Sequence, residues 1–177
     1  MSDSSKRTKR NLEALEGDLA SNRLHHALLL QGKNLSALEK GAIHLTRKIL
    51  GAKEETEEHP DLFHLRPSGK ARLITVESTR SLISDLNRSA SQGENKVALL
   101  HEVDRMRREA ANAFLKTLEE PPHGTFILMV TTRPYSLLPT IRSRCLQVRL
   151  DEKFEELEDK EWKDWLSSYK AWIELAS

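Results

Sequence analysis

The stretch LKTLEEPPHGTFILMVTT, from Leu115 to Thr132, decides the fold class. It begins inside a run with helical spacing of apolar side chains, from about Arg107 to Glu119. Pro121 and Pro122 stop this helix, because proline lacks the backbone N–H that a helix needs. The following TFILMV, Thr125 to Val130, is continuously apolar, as expected of a strand buried on both faces of a parallel sheet. A helix followed at once by a buried strand indicates an α/β fold.

The alternation of strands and helices extends over most of the chain in both directions. Short apolar runs predict further strands at 27–30, 62–65, 96–100 and 146–148. Helical spacing predicts helices at 11–20, 35–50 and from 75 or 77 to 86, with a short helix or turn at 135–142. The sequence therefore predicts a three-layer α/β core with a mainly parallel sheet.

The pattern changes after residue 150. From Phe154 onward apolar residues recur mostly at steps of three and four, and all three tryptophans lie here. Residues 151–177 contain nine acidic and four basic residues. We predict a core over residues 1–150 and an acidic, tryptophan-rich amphipathic helix over 151–177. The aromatic stripe of this helix either packs on the core or docks another domain or subunit.

The composition excludes several classes of protein. A net charge of +1 argues against coating nucleic acid by bulk electrostatics. The single cysteine excludes an internal disulfide and a multi-cysteine zinc site, and fits a reducing compartment. The sequence has no apolar run of eighteen residues and no signal-like segment. We therefore expect a cytoplasmic protein without membrane association.

Three blocks resemble one family. They are HPDLFHL at 59–65, AANAFLKTLEEPPHGTFILMVTT at 110–132 and SLLPTIRSRC at 136–145. In this order they are similar to the AAA+ module of the bacterial DNA polymerase III clamp loader, most closely its delta-prime branch, over roughly residues 10–150. The resemblance implies a P-loop NTPase-type core followed by a helical lid and a collar that joins five subunits. The sequence ends before a collar, which leaves open a truncated piece or an unusually short member.

The segment GKNLSALE, at 32–39, aligns with the phosphate-binding loop G-x-x-x-x-G-K-[ST] but lacks its working residues. Gly32 matches the first glycine, and Ala37 stands at the second. Leu38 replaces the lysine that neutralises phosphate, and Glu39 replaces the hydroxyl residue that binds Mg²⁺. The sequence thus predicts a degenerate nucleotide site.

The magnesium-binding half of the site is altered as well. His101 follows the strand at 96–100, where the family places an aspartate that holds Mg²⁺. Glu102 stands where an ATPase places the residue that polarises water. Lys33 and Lys40 are close to the loop but out of position, and we interpret them as surface lysines. We expect no ATP hydrolysis, no bound cofactor and no metal.

The resemblance assigns a different role to Arg144. In the family, the arginine of the SRC motif reaches the nucleotide of a neighbouring subunit, where such a finger speeds turnover by roughly 10³–10⁵-fold. Ser143 and Cys145 are expected to set the loop. Cys145 is interpreted as a small buried hydrophobe, with a nucleophile as the alternative. Arg142 is either a second interface contact or a surface arginine.

The histidines give weaker signals. Delta-prime proteins often have a four-cysteine zinc module ahead of the HPDL block, but residues 51–58 contain no cysteine. We therefore interpret His59 and His64 as structural residues. His25 and His26 have no carboxylate or thiol partner nearby in sequence and are not expected to bind a metal.

The sequence as a whole favours a non-catalytic clamp-loader subunit in DNA replication. Its expected partners are the motor and clamp-opening subunits, the sliding clamp and, through the assembly, primed DNA. The helix at 110–119 and the loop at 119–122 are expected to face the clamp or a neighbouring subunit. Arg105, Arg107 and Arg108 contact DNA phosphates or form a solvated basic turn.

Two alternatives stay open at this point. The first is an ATP-hydrolysing motor subunit of the same fold with an atypical phosphate loop. The second is a repurposed protein-interaction module that binds its partner through the acidic, tryptophan-rich segment.

Overall fold

A computed structural model of the protein describes residues 3–52 and 58–150. Helices and strands alternate along these residues. In chain order they are α1 (Asp3–Ala20), β1 (Ala27–Gln31), α2 (Leu35–Leu50), β2 (Leu62–Leu65), α3 (Val76–Leu86), β3 (Lys96–Leu100), α4 (Arg108–Glu119), β4 (Thr125–Thr131), α5 (Pro139–Arg142) and β5 (Leu146–Arg149). Short 3-10 turns at Val103–Arg105 and Pro134–Ser136 follow β3 and β4.

These strands form one parallel sheet in the order β2-β3-β4-β1-β5. The central strand β1 pairs Leu30 with Val130 on one side and with Val148 on the other. The predicted α/β fold with a parallel sheet is therefore confirmed. Because the strands are parallel, their carboxyl ends share one edge of the sheet and their amino ends share the opposite edge.

Both faces of the sheet are covered by helices. Leu29 points toward a cluster that includes Phe114 of α4 and the buried residues of α3. Leu30, one residue on, points toward a second cluster that includes Leu45 of α2 and the buried residues of α1. These four side chains are fully buried or nearly so. The alternation of faces along each strand thus produces the predicted three layers.

Local signals explain where the helices begin and end. The Asn34 side chain accepts a hydrogen bond from an α2 amide, and Gly51 ends α2 at φ 65°. Thr75 and Ser78 form a capping box at the start of α3. Helix α1 begins at Asp3, not near residue 11 as predicted. Residues 3–10 contain no apolar side chain, so hydrophobic periodicity gave no signal there.

The predicted helix of residues 151–177 lies outside the described residues, so the division of the chain near residue 150 stays a prediction. Among the described helices, none has both the length and the apolar content needed to cross a membrane.

Candidate functional site

The loop between β1 and α2 is too short to enclose a phosphate. Only Gly32, Lys33 and Asn34 separate the strand from the helix. The amides of Ala37 and Leu38, which a phosphate loop would turn toward its ligand, instead donate to the side chain and the carbonyl of Asn34 at 3.4 and 3.1 Å. The Leu38 side chain is fully buried in the cluster against α2. The lysine position of the motif is therefore a core position in this protein.

Gly32 has a packing role at the same corner. A Cβ atom at this position would collide with the carbonyl oxygen of Leu150. The Leu150 amide donates to the Gln31 carbonyl at 2.9 Å, and its side chain is 1% exposed. The end of β5 therefore lies directly against the loop, and this contact explains why residue 32 is a glycine.

The side chains at the two positions that align with Mg²⁺ ligands, Glu39 and His101, are hydrogen-bonded to each other. Nδ1 of His101 lies 2.9 Å from Oε1 of Glu39, and Nε2 of His101 lies 3.0 Å from Nδ1 of His64. The two imidazole rings stack with centroids 5.3 Å apart. Arg66 places Nη1 at 3.7 Å from the same Glu39 oxygen. The side chain of His101 is only 2% exposed, so its imidazole is shielded from solvent where it contacts Glu39 and His64.

The protonation of this chain of hydrogen bonds follows from burial. Burial lowers the pKa of His101, while the hydrogen bond to Glu39 acts in the opposite direction. His101 is therefore neutral at pH 7. Because an ionised carboxylate can only accept, the proton lies on Nδ1 of His101, and Nε2 accepts from His64. The hydrogen bond from His101 thus gives the Glu39 carboxylate a partner without a metal ion.

Glu102 is bound by two arginines of its own chain. Its carboxylate contacts the guanidinium of Arg72 and accepts from Nε of Arg105 at 2.6 Å. The residue has a left-handed backbone with φ 44°, which is uncommon for glutamate. Both carboxylate oxygens of Glu102 are thus engaged by cations of the same chain.

Arg144 lies in a different environment, between α5 and β5. Its Nε donates to Oε1 of Glu119 at 2.6 Å, and Nη2 contacts the same oxygen. Nη1 donates to the Thr140 carbonyl at 2.9 Å and is 3.4 Å from the Ser143 hydroxyl. The side chain is 33% exposed. The structure thus orients this arginine at the protein surface.

Cys145 and Arg142 flank this arginine. Burial raises the pKa of the Cys145 thiol to about 12, against the opposing effect of Arg144, and its Sγ donates to the Ile141 carbonyl at 3.1 Å. A thiol that stays protonated at neutral pH is a poor nucleophile. The Arg142 guanidinium lies 4.8 Å above the ring of Tyr135, which is 85% exposed.

The predicted histidines make local contacts. Nδ1 of His25 accepts from the Ala27 amide at 3.1 Å, and His26 lies 2.9 Å from the Leu118 carbonyl. His59 accepts from the amide of Asp61 at 3.1 Å. Within the part of the chain that the structure describes, no group of three or more His, Cys, Asp or Glu residues is arranged to hold a metal ion.

The predicted basic residues differ in their environments. Lys33, Lys40, Arg107 and Arg108 are exposed. Arg105 is instead partly buried and bound to Glu102, as described above.

A cleft of about 470 Å³ lies at the carboxyl ends of β1, β4 and β5. Its lining includes Lys33, Arg133 and Arg149, so it is cationic. Arg133 is paired with Asp104 at 2.8 Å. Ligands of open parallel sheets often bind beyond this edge. The cleft lies beside Gly32, however, and its lining contains neither His101 nor Glu102.

Sequence reasoning missed the partners of the residues that it singled out. Glu39 and His101 were each identified, but their mutual hydrogen bond was not. Glu119 was not identified as the partner of Arg144. One signal was available, because an acidic residue in the last turn of a helix is electrostatically unfavourable unless a cation lies nearby.

Comparisons with known proteins agree on one family. Residues 7–154 match the family model described as DNA polymerase III, delta subunit. DNA polymerase III subunit delta' of Yersinia pestis is 36% identical over 146 residues, which are 74% of this chain and 43% of that protein. The tau subunit of Escherichia coli is 34% identical over 154 residues, 78% of this chain and 24% of that protein.

A solved structure of a DNA polymerase III-related protein is also similar to this chain. The DNA polymerase III gamma subunit-related protein of Thermotoga maritima matches with a TM-score of 0.70 and 29% identity, over 87% of this chain and 52% of that one. The chain spans less than half the length of either sequence relative.

Proposed function

The chain belongs to the delta-prime family of DNA polymerase III clamp-loader subunits, and from this premise we propose that it is a non-catalytic subunit of such a loader. In this role it supplies Arg144 to ATP bound by a neighbouring motor subunit. It thereby couples ATP hydrolysis to placement of the sliding clamp on primed DNA.

The hydrogen bond between Glu39 and His101 is the observation that supports the non-catalytic role. Mg²⁺ prefers oxygen ligands in near-octahedral geometry, and nucleotide hydrolysis depends on the metal to bridge the phosphates. In this chain an imidazole occupies one metal position, and it bonds directly to the carboxylate at the other. The cation that would neutralise phosphate is replaced by the buried Leu38.

The position of Arg144 supports action on a different subunit. Arg144 precedes β5, so it lies at the amino-terminal edge of the sheet, whereas Gly32 and His101 follow β1 and β3 at the carboxyl-terminal edge. A four-residue strand separates these edges by about 13 Å at roughly 3.3 Å per residue. An arginine at the amino-terminal edge points away from the degenerate site of its own chain and is accessible to a neighbour.

The test is ATP turnover by the reconstituted loader with the Arg144→Ala subunit. We expect turnover at the contacted ATP site to fall by roughly 10³-fold or more, because the guanidinium meets charge that develops on the transferred phosphoryl group. Arg144→Lys should recover little of the rate, since an ammonium lacks the planar fork. The exposed Lys40→Ala is the matched charge control and should leave turnover unchanged. An unchanged rate in Arg144→Ala contradicts the proposal.

A motor subunit with an atypical loop is the second candidate, because the cationic cleft beside Gly32 offers space for a phosphorylated ligand. Titration with a fluorescent ATP analogue and Mg²⁺ separates the two candidates. The non-catalytic subunit should not saturate at concentrations where a motor subunit does. Micromolar affinity together with hydrolysis by the isolated chain favours the motor.

The proposed DNA contacts involve the start of α4. Arg105 is bound to Glu102, whereas Arg107 and Arg108 are exposed and precede or begin the helix. We therefore assign phosphate contacts to Arg107 and Arg108 and not to Arg105. The sliding clamp and the neighbouring subunits are proposed to meet the exposed face of α4 and the loop at 119–122.

A further inference from the structure

The carboxylate of Glu119 is the main partner of Arg144. It is the last residue of α4, and its side chain is 48% exposed. A negative charge at this end of a helix is unfavourable, because the helix dipole places partial negative charge there. The contact with the Arg144 guanidinium offsets this repulsion. Helix stability alone therefore does not account for an acid at position 119.

We propose that Glu119 is a positioning residue for Arg144. The Glu119 carboxylate holds the Arg144 guanidinium in the orientation in which it contacts the triphosphate of a neighbouring subunit. This inference rests on the proposed function of Arg144. Thr140 assists from the other side of the guanidinium, where its carbonyl oxygen accepts from Nη1 at 2.9 Å. The two acceptors, on α4 and α5, thus fix the plane of the guanidinium from two directions.

The hydrogen bonds leave part of the guanidinium available. An arginine side chain has five N–H donors. Nε and one donor of Nη2 contact Glu119, and Nη1 contacts Thr140 and, more weakly, Ser143. The second donor of Nη2 has no hydrogen-bond acceptor among residues 3–52 and 58–150. It can reach a phosphate oxygen while the contact with Glu119 is kept.

The exposure of Glu119 and Arg144 indicates whether Glu119 positions Arg144 for a ligand or prevents Arg144 from contacting one. Arg144 is 33% exposed and Glu119 is 48% exposed, and ion pairs of this kind are weak. Such a pair does not withhold Arg144 from a triphosphate with several negative charges. It does restrict the rotamers of a long side chain before binding, which reduces the ordering cost when the subunits meet. Glu119 therefore assists Arg144 and does not mask it.

The test compares ATP turnover in the reconstituted loader for Glu119→Ala, Arg144→Ala and the double variant. We expect Glu119→Ala to lower kcat by roughly 10-fold with KM for ATP unchanged, because a misplaced catalytic group costs rate and not ground-state binding. Glu119→Gln should be intermediate, since it keeps one acceptor oxygen. The double variant should match Arg144→Ala alone, because Glu119 acts only through Arg144.

The control is Glu13→Ala, which removes the carboxylate of another exposed ion pair, with Lys9 on α1, and should leave kcat unchanged. Thermal unfolding of Glu119→Ala should show an intact fold. A normal or raised kcat in Glu119→Ala, while Arg144→Ala is impaired, overturns the positioning role alone. A double variant slower than Arg144→Ala overturns it as well. Normal turnover in Arg144→Ala overturns both this inference and the proposed function.

Discussion

The charged residues at the two edges of the parallel sheet differ in their exposure to solvent. At the carboxyl-terminal edge, His101 is 2% exposed and bonded to Glu39, and Glu102 is held by two arginines. At the amino-terminal edge, Arg144 is 33% exposed and paired with a carboxylate that is itself half exposed. Both edges contain paired charges, but at the carboxyl-terminal edge the central members His101 and Glu102 are buried or nearly so, whereas both members of the amino-terminal pair are at least one third exposed.

This difference agrees with the proposed function, in which the chain does not hydrolyse ATP itself but supplies an arginine to a neighbouring subunit. Charged groups that are buried and satisfied within the chain are costly to separate, because each would be left without a partner in a poorly solvated place. A half-exposed pair exchanges partners at little cost. Under the proposed function, replacement of the metal and phosphate ligands at one edge is therefore compatible with the use of Arg144 at the other edge.

The largest expected effect is on the stability of the carboxyl-terminal edge. Leu38→Lys restores the cation of the phosphate loop but places an ammonium in a fully buried apolar cluster. We expect the free energy of unfolding to fall by about 3–5 kcal/mol, which is typical of an uncompensated buried charge. Urea denaturation of the wild type and the variant measures this loss.

The matched control for this prediction is Lys40→Leu, which makes the reverse exchange two residues away at an exposed position. It should change the free energy of unfolding by no more than about 0.5 kcal/mol. If Leu38→Lys were as stable as the wild type and bound Mg²⁺–ATP, the loop between β1 and α2 would be able to hold a nucleotide. The contrast between the two edges of the sheet would then be lost.

The sequence predicted the framework of both edges but not the contacts that distinguish them. The strands at 96–100 and 125–130 were found from their apolar runs, because burial on both faces leaves a local signal. The bond between Glu39 and His101 joins residues 62 positions apart, and the pair of Glu119 and Arg144 joins residues 25 positions apart. Such contacts depend on helix rotation and strand register, which are set by tertiary packing and not by local spacing.

A smaller, pH-dependent effect is expected at His101. Its folded pKa is lowered from 6.5 by burial, so below pH 6.5 the unfolded chain takes up a proton at this residue while the folded chain does not. Stability therefore falls as the pH decreases from 6.5 toward the folded pKa, and levels off below it. The free energy of unfolding, measured between pH 7 and 5, should show this decrease.

His101→Asn isolates this titration, because asparagine can still bond to Glu39 but does not gain a proton. The difference in stability between the wild type and His101→Asn should change across this pH range in favour of the variant as the pH falls. A difference that is independent of pH would show that burial does not control the protonation of His101.

The smallest expected effect is that of Arg144→Ala on stability. Half-exposed ion pairs contribute about 0–1 kcal/mol, so the free energy of unfolding should change by less than about 1 kcal/mol. Arg88→Ala removes another exposed pair, with Asp85, and should give a change of similar size. A loss above about 2 kcal/mol in Arg144→Ala would identify this residue as part of the structural framework. A small change in stability together with a large loss of turnover in the assembled loader would show that Arg144 acts in turnover or assembly, because a residue that serves only its own fold would lower the stability as well.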